Sequence, residues 1–352
     1  MPSEWQIHNA TRTSWTSLDA LSNLRLNTNV PKPTVIPPKT ALVRMKAAAL
    51  NARDFMVLAH DPIYPGNHVN DLVPCADGAG EVEAIGEGSQ WKVGDKVLVH
   101  PNAWIDEGLP GPIPFECPQK GADNEQGTLR EYAVWEDSHL ISAPSHLTFA
   151  EMAAMPACGA TSVNALFHGP EPLKAGMTVL TQGTGGVSCF AIQLASAIGA
   201  RVIATSSSDA KLELAKMMGA THLINYRTHA NWEQEVLRLT NGKGVDLVVD
   251  VAGSGTIEQS LAAVKFGGQV SLVGFMSESK KTDLVLAIIL GGKTVRGVAN
   301  AGSKAMAEQA AQLAEKYKIH PVVATIFEWE DAKEAFAMLN AQSAVGKIVI
   351  KI

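Results

Sequence analysis

Met177-Thr178-Val179-Leu180-Thr181 is an apolar, β-branched run that breaks, after Gln182, into Gly183-Thr184-Gly185-Gly186-Val187-Ser188. From Val187 to Ile198 the apolar residues then recur at helical spacing. A strand that passes through glycines straight into a helix leaves few folds open. The first glycine allows the tight turn, and the second lets backbone N–H groups approach an anion. The helix N-terminus adds partial positive charge at the same spot. Ser188 takes the third position of the pattern and is small enough for the helix to pack closely on the strand. The loop fits a pyrophosphate, with Gly183, Thr184, Gly185, Gly186 and Val187 as candidate contacts.

Such a loop alone is often an ordinary turn, but here the rhythm repeats. Strands are expected over 201–205, 222–226, 245–251 and 269–274, with helices over 209–218, 232–239 and 257–264 between them. Near-continuous apolar strands separated by helices imply a parallel sheet covered on both faces, an α/β doubly wound (Rossmann) unit. The first 150 residues differ. Short β-like runs at 42–45, 80–86, 95–99 and 129–134 alternate with proline and glycine, the pattern of a small, mostly antiparallel β-barrel. The polar, Pro/Gly-rich stretch 102–127 is expected to be a surface excursion. Helices over 304–318 and 331–340 follow the Rossmann unit, and a last strand over 346–352 returns to the first domain. The expected domains are therefore 1–150 with 300–352, and 151–299.

Composition narrows the class further. The 352 residues carry 29 basic and 35 acidic side chains, net −6, with no run of five like charges. That argues against a nucleic-acid partner or a polybasic membrane surface. No apolar run nears the roughly 18 residues of a membrane span, and the most apolar short stretch is 284–290. Residues 1–18 have no apolar signal core, so a soluble, cytoplasmic protein is expected. Cys75, Cys117, Cys158 and Cys189 stand too far apart for a Cys-x-x-Cys site or a disulfide framework.

The end of the second Rossmann strand bears on the cofactor. An acid there would accept from a ribose 2′-OH, but the chain reads Ala204-Thr205-Ser206-Ser207-Ser208, and Asp209 is expected to cap the next helix. Hydroxyls and cations suit a 2′-phosphate. Ser206, Lys211, Tyr226 and Arg227 are the candidates, unless the two cations are simply solvated. NADP(H) is the expected cofactor.

Ala47-Ala48-Ala49-Leu50-Asn51-Ala52-Arg53-Asp54, Asp77-Gly78-Ala79-Gly80-Glu81-Val82 and Val93-Gly94-Asp95-Lys96-Val97 stand in order along the chain. Residues 127–134, Gly159-Ala160-Thr161 through Leu166, the glycine loop, Ile224-Asn225-Tyr226-Arg227 and Gly346-Lys347-Ile348-Val349-Ile350 follow them. Together they resemble the zinc-independent branch of the medium-chain dehydrogenase/reductase superfamily, the quinone oxidoreductase-like and enoyl reductase-like relatives of zinc-type alcohol dehydrogenases. The resemblance implies a GroES-like catalytic domain, a Rossmann domain inserted into it, and an active site in the cleft between them. Zinc-dependent relatives use a Cys, a His and often a second Cys. Here Asn51, Ala76 and Ala157 fall on those positions, with Cys158 one place off. A catalytic zinc needs three protein ligands, and the structural zinc lobe's region has only Cys117. No metal is expected, and Cys75 and Cys158 are expected to be packed and inert.

Without zinc, conjugated acceptors become the easier substrates, because hydride addition to an enone or quinone sends charge onto an oxygen that modest donors stabilise. The expected reaction is NADPH-dependent reduction of a small-molecule quinone or α,β-unsaturated carbonyl. A metal-free alcohol dehydrogenase or ketone reductase is the alternative, and a non-catalytic NADPH-binding protein the next. The resemblance puts Asn51 beside the nicotinamide; it is otherwise a turn residue. Asp54 either orients neighbours or caps a helix, and Tyr64 either donates a proton or packs. Thr161 and Asn164 are expected on the nicotinamide side. Ala252, Gly274, Phe275 and Asn300 follow Rossmann strands as cofactor walls. Lys347 either reaches the cleft or stands exposed. The apolar stretch 284–290 beside a final edge strand over 293–298 implies a homodimer paired through that edge.

Overall fold

The computed structural model describes residues 1–64, 66–102, 119–277, 280–299 and 301–352. The chain divides into two compact units, Met1–Ala160 with Ser303–Ile352, and Thr161–Gly302. Among the described residues no helix is long and apolar enough to cross a membrane.

In the first unit β1 (Glu4–Ile7) pairs with β2 (Leu24–Asn27) as a separate antiparallel ribbon. The ten-residue β3 (Thr40–Ala49) is buried along most of its length and leads directly into α1 (Ala52–Leu58). Asp54 starts that helix, its Oδ2 accepting from the Asn51 backbone N–H at 2.7 Å. β4 (Asp77–Ile85), β5 (Lys96–Val99) and β7 (Leu140–Ser142) extend the sheet antiparallel from β3, and β6 (Tyr132–Glu136) pairs with β3 as well. α2 (Phe149–Ala153) carries a capping box between Thr148 and Glu151. The units divide inside α3 (Pro156–Phe167), ten residues beyond the expected boundary.

The second unit alternates strand and helix. β8 (Thr178–Gln182), α4 (Gly186–Ala197), β9 (Arg201–Ser206), α5 (Asp209–Met217) and β10 (His222–Asn225) form one half. α6 (Trp232–Leu239), β11 (Val245–Asp250), α7 (Ile257–Ala263), β12 (Val264–Leu272), α8 (Val285–Gly291) and β13 (Thr294–Gly297) form the other. All strands are parallel in the order β10-β9-β8-β11-β12-β13, so the chain reverses direction across the sheet between β8 and β11. Leu180, Ile203, Ile224, Val248 and Val270 line one face, under Trp232, Ile257 and Leu261. α8 splits its apolar residues: Leu284 and Ile288 pack on this core, whereas Val285, Leu286, Ile289 and Leu290 are exposed.

The chain then returns to the first unit through α9 (Lys304–Tyr317), β14 (Val323–Phe327), α10 (Ala332–Asn340) and β15 (Lys347–Lys351). β15 runs antiparallel to β3 and parallel to β14, completing the order β14-β15-β3-β4-β5-β7. Phe336 of α10 packs on Phe55 of α1, ring centroids 6.5 Å apart.

Two local expectations need correction. Most of 102–127 lies outside the described residues, but its described end is interior: Gln119, Lys120 and Ala122 are buried. Gly121 and Gly127 lie so close to the Pro74–Cys75 backbone that a Cβ on either would come within 2.6 Å of it. Polarity misled because these polar groups are satisfied inside the fold. Asp209 does not cap α5; it is the first helical residue and accepts from Asn225 Nδ2 at 2.8 Å.

Candidate active site

Three neighbouring strands bring the first group of residues together. Val349 of β15 stands opposite Ala49 of β3, and Ala49 opposite Asp77 of β4. Two residues further along this register, Lys347 comes level with Asn51. Its ammonium donates to Asn51 Oδ1 at 2.8 Å and to Asp77 Oδ2 at 3.0 Å. Asn51 Nδ2 donates to the same Asp77 oxygen at 3.0 Å, and Asp77 Oδ1 accepts from the Ala157 N–H at 2.8 Å. Lys347 is only 4% exposed and Asp77 fully buried. Burial disfavours the ammonium, but the attraction and hydrogen bond of Asp77 together with neighbouring acidic groups hold the Lys347 pKa above its usual value.

These bonds fix the Asn51 amide. Its oxygen is taken by a cation and one Nδ2–H by a carboxylate, so the second Nδ2–H is the group this half-buried side chain has left to present. Asp54 braces the same residue from its backbone. Its carboxyl also accepts from Arg53 Nε at 3.2 Å, and burial raises its pKa despite that cation. Asp54 therefore both starts the helix and braces Asn51, and it is fully buried.

Arg53 extends the network. It donates to the Lys120 carbonyl, to Gln119 Oε1 at 3.4 Å and to the Tyr64 hydroxyl at 3.5 Å. Tyr64 in turn donates to Gln119 Oε1 at 2.8 Å, and burial raises its pKa. Tyr64 is thus held within this network, its hydroxyl bonded to Gln119. Lys120, 1% exposed, lies over the Trp135 ring at 5.0 Å and has its pKa lowered by burial to about 8.

The residues at the zinc-ligand positions do not fit zinc. Ala76 and Ala157 have no donor side chain, and the Asn51 oxygen faces an ammonium that would repel a second cation. Among the described residues no group of three or more His, Cys, Asp or Glu is arranged to hold a metal. Burial pushes the Cys158 thiol up to about 11 and the Cys75 thiol well above its ordinary value, so both remain protonated. Cys117 lies outside the described residues.

In the second unit the glycine loop fits a pyrophosphate. Gly183 has φ +71°, and no atom lies within 4 Å of where a Cβ would stand on Gly183 or Gly185. Gly185 precedes α4 with no side-chain cap on the helix amides. Ser188 donates to the Gln182 carbonyl at 2.6 Å, and Ser162 to the Val187 carbonyl at 3.0 Å. Thr184, Thr161 and Asn164 are buried, and Arg296 holds the Asn164 carbonyl at 3.1 Å. Ser206 is 2% exposed; Ser207, Ser208 and Lys211 are half-buried, and Tyr226 and Arg227 exposed. Ala252, Gly274 and Phe275 lie on the loops after β11 and β12. A Cβ on Gly274 would stand 2.5 Å from the Val251 carbonyl oxygen. Asn300 lies outside the described residues.

Residues 37–145 match the alcohol dehydrogenase GroES-like domain family, and residues 186–316 the family described as zinc-binding dehydrogenase. A zinc-type alcohol dehydrogenase-like protein of Schizosaccharomyces pombe is 37% identical over 327 residues, covering 91% of this chain and 93% of its own. The chain belongs to the medium-chain dehydrogenase/reductase superfamily. As expected from its motifs, it is an oxidoreductase of that superfamily, with a GroES-like domain and a parallel-sheet Rossmann unit. A quinone oxidoreductase of Pseudomonas aeruginosa is 31% identical over 325 residues, covering 89% of this chain and 91% of its own. A solved structure titled NAD-dependent alcohol dehydrogenase is 31% identical with a TM-score of 0.84, covering all of both chains.

The sequence alone assigns no role to Asp77, Arg53, Gln119 or Lys120, and it allows Lys347 either the cleft or the surface. One signal was present. Asp77 is the single charge in Cys75-Ala76-Asp77-Gly78-Ala79-Gly80, and a lone acid among small residues points to a buried, partnered charge.

Proposed function

We propose that this protein reduces a quinone or an α,β-unsaturated carbonyl compound with NADPH and without a metal ion. The observation that carries the reading is the clamped Asn51 amide: Lys347 and Asp77 leave one Nδ2–H as an oriented donor. When bound, NADPH supplies the hydride. Hydride addition to a quinone or to an enone β-carbon moves an electron pair onto the carbonyl oxygen. The free Asn51 N–H stabilises that oxygen, as an oxyanion-hole donor does. Lys347 polarises the amide through its oxygen, and Asp54 holds the backbone. The proton that completes the reduction comes from solvent.

One hydrogen-bond donor suits a conjugated acceptor, where charge spreads over several atoms. Oxidation of a simple alcohol asks for a stronger acid or a metal. The glycine loop supports dinucleotide binding. Ser207, Ser208, Lys211, Tyr226 and Arg227 at the ends of β9 and β10 support the phosphorylated form, with Ser206 beneath them.

The test offers a quinone, an enone, a ketone and an alcohol at equal enzyme, with NADPH or NADH (oxidised for the alcohol), before and after EDTA. NADPH oxidation with the quinone or enone, unchanged by EDTA, is expected. Turnover confined to the alcohol and ketone, or loss of activity together with a tightly held metal, overturns the reading. Tight NADPH binding with no turnover on any acceptor assigns a binding role instead.

A further inference from the structure

Asp250, the last residue of β11, is a fully buried carboxylate with no ion-pair partner among the described residues. Burying an acid is costly unless donors surround it. They do, from two directions. Oδ1 accepts from the Ala252 and Gly253 N–H groups at 3.1 and 2.9 Å, holding the loop that follows β11. Oδ2 accepts from Gln182 Nε2 at 3.1 Å and Ser260 Oγ at 2.6 Å, with the Thr256 hydroxyl shared between the two oxygens.

Gln182 is the last residue of β8. Its side-chain oxygen accepts from the Val251 N–H at 3.3 Å, and its backbone carbonyl takes the Ser188 hydroxyl that closes the glycine loop from below. The Gln182–Asp250 bridge thus spans β8 and β11, the strands between which the chain reverses direction across the sheet. Ligands of open parallel sheets bind outside the carboxyl ends of the strands at that reversal. Gly253, at φ +79°, packs so close to the loop after β12 that a Cβ would lie 3.0 Å from the Gly274 carbonyl oxygen.

We propose that Asp250, acting through Gln182 and the Ala252–Gly253 backbone, is a positioning residue that sets the spacing of the dinucleotide-binding loops. The proposal rests on the cofactor reading above. An uncharged side chain could satisfy one loop, but a carboxylate satisfies donors from both at once. A natural control stands at the other end of the same strands. Asp246 also links β11 to β8, accepting from the Thr178 N–H at 2.7 Å, but does so at their N-terminal ends.

The experiment titrates NADPH and NADH fluorescence against the parent protein and Asp250→Asn, Gln182→Met and Asp246→Asn, below the melting temperature of each. Asp250→Asn and Gln182→Met are expected to raise the dinucleotide Kd about tenfold, the effect of one good hydrogen bond. Their kcat at saturating cofactor should stay near the parent's. Asp246→Asn should lower Tm and leave Kd unchanged. Parental affinity in both Asp250→Asn and Gln182→Met, or an equal loss in Asp246→Asn, overturns the proposal alone. Should Asp250→Asn not fold, Gln182→Met decides. A parent protein that binds neither dinucleotide overturns the cofactor reading and this proposal with it.

Discussion

Lys347→Met removes the ammonium of the buried pair and leaves its volume nearly unchanged. The Asp77 carboxylate would then keep the Asn51 Nδ2–H and the Ala157 N–H, but lose the cation 3.0 Å away. Removing one partner of a buried ion pair costs about 3–5 kcal/mol, because the remaining charge is stranded. For a unit of 150–250 residues each kcal/mol moves Tm by about 2–4 °C, so a fall of about 6–20 °C is expected. Adding Asp77→Asn should recover at least half of it, since the introduced amide can accept from Ala157 N–H and, once the Asn51 amide turns over, donate to its oxygen. The pH dependence follows from the raised Lys347 pKa. A lysine whose folded pKa lies above its unfolded value stabilises fully below the unfolded value, about 10.4, and loses that contribution as pH rises through the folded one. The Tm gap between parent and Lys347→Met should therefore stay flat from neutral pH to that point and shrink above it. Thermal unfolding by circular dichroism across this range measures both effects. A Tm loss under about 2 °C in the single variant, or a double variant as damaged as the sum of the two singles, would refute the reasoning.

Three further outcomes are expected. Lys211→Ala should raise the KM for NADPH at least severalfold and leave that for NADH little changed; equal use of NADH by the parent protein would refute the 2′-phosphate assignment. Lys120, with its pKa lowered to about 8, binds its proton less tightly when folded than unfolded. Its contribution should make stability rise by up to about 1.4 kcal/mol per pH unit between that value and about 10.4, and Lys120→Met should abolish the rise; urea unfolding against pH that shows the same slope in both proteins contradicts this. The sheet of the second unit ends at β13, beside an α8 whose Val285, Leu286, Ile289 and Leu290 are exposed, so a homodimer paired through that edge is expected in light scattering at micromolar concentration; a mass near 37.3 kDa would reject it, and Val295→Pro should weaken it.

What could be read from the sequence divides along one physical line. The glycine loop and the alternation of apolar strands with helices are local patterns, and from Met177 to Val251 the elements lie close to where their own residues place them. β12, however, begins five residues before its expected start, and β14 is not among the expected strands. The candidate site depends on contacts that no local pattern carries. Lys347 and Asp77 are 270 positions apart in sequence. In the alternating strand Lys347-Ile348-Val349-Ile350-Lys351 nothing local separates the two lysines. Only the register of β15 on β3 does so, burying Lys347 against Asn51 and Asp77 while Lys351 stays exposed beside Glu328. Asp250 was concealed in the same way. It reads as the polar end of an apolar strand until its pairing beside β8 brings Gln182 across to it. Lys120 was misjudged for the opposite reason, since polarity and glycines resemble a surface loop when the groups that satisfy them come from elsewhere. Asp77, Lys347 and Asp250 are each a buried charge with a partner distant in sequence. A charge left among small or apolar residues with no partner nearby is therefore the sequence signal to follow in a chain of this kind.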